Sequence, residues 1–86
     1  MVPDAIFKLS QYQQVLNVVS ELLRAREWQS DLGKFTASLE RALNLIDMFL
    51  LDPKWRVNLC FLLSLREEIA KVYVRQQTIA DVLKVL

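Results

Sequence analysis

The sequence predicts an all-α fold: an antiparallel helical bundle of three long helices, with a short fourth as an option at the C-terminal end. Three observations carry that expectation. One glycine, Gly33, and two prolines, Pro3 and Pro53, leave few turning points in 86 residues, whereas strands need frequent turn chemistry. Apolar residues recur at steps of three and four in each segment, the period of one helix face. The punctuation that does occur is of the kind that opens helices: Ser10, Ser30-Asp31, Asp52-Pro53 and Thr78.

In the first segment Leu9, Tyr12, Leu16, Val19 and Leu23 step by 3, 4, 3 and 4, widened by Val15, Val18 and Leu22. Ser10 and Gln13 have capping-box spacing, so the helix is expected to start at Ser10 after a short turn, or at Asp4 if it runs through. The stretch Trp28 to Gly33 reads as the first connection, with Ser30 and Asp31 as N-cap types and Gly33 able to turn left-handed.

The second helix carries Phe35, Leu39, Ala42, Ile46 and Phe49 and should end near Leu51, because the residue before Pro53 resists helical geometry. Asp52 then caps a third helix beginning at Pro53 or Lys54. Its stripe is Leu62, Leu65, Ile69 and Val72, and its first half is apolar almost all round. Thr78 and Asp81 have capping-box spacing and either open a final helix, Ile79–Leu86, or sit inside a continuous one. The chain ends on Val85-Leu86 without a polar tail, which suits a terminus docked on the core or a piece of a longer chain; docking is the expectation. Residues 1–86 are therefore read as a single helical domain.

Composition bears on function. Hydrophobic residues make up 53% of the chain, more than so small a domain easily hides. That surplus favours a partner, either a second copy or another protein. Net charge is +1, from 11 Lys/Arg and 10 Asp/Glu, too balanced for long-range attraction to nucleic acid or anionic membrane. The N-terminus lacks the basic and apolar regions of a signal peptide. The longest apolar run, Val57–Leu65, is too short to span a bilayer. With one cysteine no internal disulfide can form, which fits a cytoplasmic, intracellular setting.

Most site chemistry is missing. Without histidine the commonest general base, the commonest zinc ligand and the Ser-His and Cys-His pairs are gone. Cys60, between Leu59 and Phe61, reads as a buried, inert thiol. Glu67 and Glu68 are neighbours and point about 100° apart on a helix, so they cannot share a ligand. Asp47 and Asp52 are read as a surface residue and an N-cap. No glycine-rich phosphate loop exists. The expectation is a protein that is not an enzyme, with no cofactor, metal or small-molecule substrate.

What remains is surface. The run Val57–Leu65 with Tyr73 is expected to serve as a helix–helix interface, and Trp28 and Trp55 at helix ends are candidate anchors. The partner-binding candidates are Trp28, Trp55, Val57, Leu59, Phe61, Leu62, Leu65 and Tyr73. The function expected is a protein–protein interaction module, an adaptor, scaffold or regulatory domain. The alternative is a small helical nucleic-acid-binding protein using Arg24 and Arg26, Lys54 and Arg56, or Arg66, Lys71 and Arg75. Glu27, Glu67 and Glu68 interrupt these sets and count against it. Membrane association through the first helix is not expected, because its polar face is Gln-rich rather than Lys-rich.

Overall fold

The computed structural model describes residues 7–84 and residue 86. Among the described residues the elements are α1 Gln11–Glu27, α2 Leu32–Phe49, α3 Leu59–Tyr73 and α4 Ile79–Lys84, with a 3-10 turn at Pro53–Trp55. No strand occurs among the described residues. The anticipated bundle of three long helices and a short fourth is what the chain forms.

α1 begins where its capping box requires. The Ser10 hydroxyl accepts from the Gln13 amide, and the Gln13 side chain accepts from the Ser10 N–H. The alternative start at Asp4 falls outside the described residues. Asp31 caps α2 by accepting from the Lys34 amide at 3.2 Å. The helix therefore opens at Leu32, and Gly33 lies inside its first turn without a positive φ. The connection read as running from Trp28 to Gly33 therefore ends at Asp31, and the left-handed conformation open to Gly33 is not used. The left-handed residue is instead Arg75, with φ 64°. It ends α3 in a Schellman arrangement, in which the Arg75 N–H donates to the Val72 carbonyl and the Gln76 N–H to the Lys71 carbonyl.

Paired side chains give the helix directions. Glu21 meets Arg41, and Gln14, seven residues earlier, meets Asp52 beyond the end of α2. Asp47 meets Arg66, and Glu40, seven residues earlier, meets Tyr73. Both neighbouring pairs of helices are thus antiparallel. α4 packs against α1 and α3, burying Ile79 and Val82. Thr78 and Asp81 form the reciprocal bonds of a capping box at its start, so α4 is a separate helix. Leu86 borders a cleft with Phe61 and Leu65 of α3.

The core is Val18, Leu22 and Ala25 of α1; Leu39, Ala42, Ile46 and Phe49 of α2; Leu62, Leu65, Ile69 and Val72 of α3; and Trp55, Ile79 and Val82. Fourteen mostly large apolar side chains, at roughly 1.5–3 kcal/mol each for burial, supply the dominant stabilising term.

The third helix departs from expectation at its start. Asp52 does cap Pro53, but the turn stops at Trp55 and α3 begins only at Leu59. The two rings of Trp55 and Phe61 explain the break. They stack with centroids 6.1 Å apart and planes 9° apart. On a continuous α-helix, residues six apart point about 240° from each other and could not stack. Interrupting the helix allows both rings onto one side, with the Trp55 indole in the core.

Candidate protein-interaction surface

The two longest stretches of the sequence without Lys, Arg, Asp or Glu are Leu9–Ser20 and Val57–Leu65. The fold brings their N-terminal ends together. Gln11, Tyr12 and Val15 of α1 line a cleft of about 320 Å³ with Trp55, Asn58 and Phe61. A second cleft, of about 210 Å³, continues from Phe61 past Ser64 and Leu65 to Glu68 and Leu86. On the outer side of α1, Tyr12, Leu16, Val19 and Leu23 step by 4, 3 and 4, so they form one stripe. Tyr12 is 73% exposed, Leu16 and Leu23 are exposed, and Val19 is half-buried. The polar residues beside them, Gln13 and Ser20, are uncharged and exposed. The result is a solvent-facing surface of apolar, amide and hydroxyl groups.

The residues singled out in the sequence separate into three groups. Trp55, Leu62 and Leu65 are core, with Trp55 only 3% exposed. Val57, Leu59 and Phe61 are exposed, Val57 at 91%. Phe61 turns towards α1, whereas Leu59 and Leu63 lie on the flank of α3 about 160° away from it. The apolar run is therefore split between the core and two surfaces.

Tyr73 and Trp28 form the third group, apart from the cleft. The Tyr73 hydroxyl donates to Glu40 at 3.0 Å, and that carboxylate raises the phenol's pKa. Trp28 is 41% exposed and lies under the Lys34 ammonium, 3.8 Å from the ring centroid. Cys60 is exposed, not buried as expected. Its neighbours in sequence are apolar, but the break before α3 sets the helix so that Leu62 and Leu65, not Cys60, face the core.

Tyr12, Leu16, Leu23 and Leu86 were not among the sequence candidates. Their signal was present but indirect: the polar face of α1 has amides and hydroxyls where a solvated helix usually carries charge.

The polar groups at the head of the first cleft are firmly tied. Asp52 is 4% exposed, so this N-cap is also a buried carboxylate. It accepts from the Gln14 amide at 2.9 Å and from the Lys54 backbone at 3.0 Å, and pairs with the Lys54 ammonium at 2.8 Å. The Trp55 indole N–H donates to the Gln14 side-chain oxygen. Burial pushes the Asp52 carboxyl up, but the hydrogen bonds from Lys54 and Gln14 and the Lys54 charge outweigh it and hold the pKa below the usual value. Lys54 also donates to the Phe7 carbonyl, and Gln11 to the Lys54 carbonyl at 2.6 Å.

Several basic residues away from this corner are held in ion pairs. Arg24 and Arg41 pair with Glu21, Arg66 with Asp47, and Lys71 with Glu68. The hydrogen bond from Asp47 raises the pKa of Arg66. A hydrogen bond between Glu68 and Lys71 lowers the first and raises the second. A cleft of about 640 Å³ lies at the opposite end of the bundle and has a mixed lining that includes Gln29, Phe35, Arg75 and Ile79. Among the described residues no three His, Cys, Asp or Glu side chains are grouped to hold a metal ion, and no helix is long and apolar enough to cross a membrane. Comparison with protein-family models, curated proteins and solved structures finds no match to the chain.

Proposed function

We propose that this chain is a non-catalytic protein–protein interaction module, an adaptor, scaffold or regulatory domain working through the uncharged outer face of α1 and the cleft that its start shares with the start of α3. One observation carries the reading: the two charge-free stretches, remote in sequence, share the cleft at Tyr12 and Phe61. The buried centres of protein interfaces are depleted of charge and enriched in aromatic side chains. A solvated helix face of this length ordinarily holds several Lys or Glu residues. The nucleic-acid alternative is weakened by the ion pairs that hold Arg24, Arg41, Lys54, Arg66 and Lys71. A cytoplasmic setting accompanies the proposal, since an exposed free thiol at Cys60 suits a reducing compartment.

The test is binding of an apolar fluorescent dye to the folded chain at about 1 μM, low enough to keep a weakly associating face open. The wild type should enhance dye emission. A double variant, Tyr12→Gln with Leu16→Gln, should lower that emission several-fold while its far-UV circular dichroism stays the same. A wild type that binds no dye, or a double variant that binds it equally well, overturns the reading.

A further inference from the structure

We propose that the uncharged face is closed by a second copy of this chain, in a two-fold symmetric dimer with the axis passing near Leu16. The proposal rests on reading that face as a protein-binding surface, and it goes further by naming the partner.

Symmetry supplies the main argument. Near a two-fold axis each residue meets its own copy. A Lys or Glu there would face an identical charge. Leu and Val meet themselves without penalty, and Gln, Ser and Tyr each both donate and accept, so they can hydrogen-bond their own copies. The exposed residues around Leu16 are Tyr12, Gln13, Asn17 and Ser20, all of this self-compatible kind. A foreign partner is usually registered by fixed-sign charges that complement its own. Neither Leu9–Ser20 nor Val57–Leu65 offers one. With a net charge of +1, two copies also approach without long-range repulsion.

Area decides the strength. The stripe from Tyr12 to Leu23 runs for about 17 Å of helix, roughly 25 Å with its end side chains, on a helix about 10 Å wide. The footprint is on the order of 250 Å² in projection, well below the standard of about 800 Å² per partner. A weak, reversible dimer follows, rather than an obligate one.

Sedimentation equilibrium of the full 86-residue chain from about 1 to about 500 μM tests the proposal. The wild type should pass from monomer to dimer within that range. Leu16→Glu and Leu16→Lys should each weaken the dimer at least tenfold with unchanged helicity, and an equimolar mixture of the two should restore it. A wild type that stays monomeric at about 500 μM overturns the second copy as partner. So does a Leu16→Glu variant that dimerises as well as the wild type. The dye experiment separates the two failures. A monomeric wild type whose dye emission still depends on Tyr12 and Leu16 retains the binding face and points to a different protein. A monomer without dye binding removes both proposals.

Discussion

Gln14 and Glu21 lie seven residues apart on α1, and both carry a polar group into the seam with α2, yet their surroundings differ. Gln14 is fully buried and bridges Asp52 to the Trp55 indole, across 38 and 41 residues of sequence. Glu21 is also largely covered, but its partners Arg24 and Arg41 have side chains 61% and 52% exposed. The first cluster sits where water cannot replace a lost partner, so its hydrogen bonds are expensive to break. The second sits at an edge, where water and salt stand in for the guanidinium groups. Similar chemistry on one helix thus does two different things. At Gln14 it fixes the corner where the chain leaves α2 and enters α3; at Glu21 it mainly dresses a seam that the apolar residues already hold.

The contrast can be tested by removing partners. A carboxylate with no partner sets the upper limit: Leu62→Asp, at a fully buried position, should cost about 4 kcal/mol or more and unfold the domain. A soluble, native-like variant by circular dichroism would misplace the core. Asp52→Ala comes next, at about 2–3 kcal/mol in urea unfolding, because it removes the buried carboxylate that accepts from the Gln14 amide, the Lys54 backbone and the Lys54 ammonium. Gln14→Leu should approach that value, since it leaves both Asp52 and the Trp55 indole N–H short of a partner.

Titration gives an independent measure of the same corner. The folded-state pKa of Asp52 lies below its ordinary value. Its contribution is therefore fully present above the unfolded pKa of about 4 and is lost as pH falls through the lower folded value. The wild type should lose stability on acidification below about pH 4, and Asp52→Asn should flatten that limb in urea melts run from neutral to acid pH. Equal slopes would show that Asp52 is not coupled to folding. Glu21→Gln should cost about 1 kcal/mol or less, and its effect should shrink further in 1 M salt, whereas that of Asp52→Ala should not. Away from both clusters, Arg75→Gly should stabilise the chain by about 1 kcal/mol, since Arg75 holds the left-handed position that glycine fills without strain. Thermal melts resolve a change of that size.

The fold was legible because local rules and packing agreed. The Ser10, Asp31 and Thr78 caps stand where their side chains required, and the stripe Leu62, Leu65, Ile69 and Val72 became the inner side of α3. The start of α3 was not legible. Asp52-Pro53 has the local chemistry of a helix start, and only the ring stack of Trp55 on Phe61 and the bond to Gln14 break the helix there. Both are tertiary contacts, and that one break also changed the exposure expected of Cys60 and Trp55. The surface was half legible. Val57–Leu65 was conspicuous as a run, but the cleft at Phe61 required knowing that the start of α1 would meet the start of α3. Exposed Tyr12 and Leu16 had looked like core residues, because periodicity identifies an apolar stripe without revealing whether something covers it.

The two tryptophans end up as built-in optical reporters at opposite ends of the bundle. Trp55 is enclosed, stacked and hydrogen-bonded, whereas Trp28 meets solvent beneath a lysine. An enclosed indole emits at shorter wavelength than a solvated one, so the two contribute separable emission bands. Replacing Trp28 with Phe leaves a chain whose colour reports only the Gln14–Asp52 corner. Loosening of that corner ahead of global unfolding would then register as a red shift preceding the loss of helical dichroism.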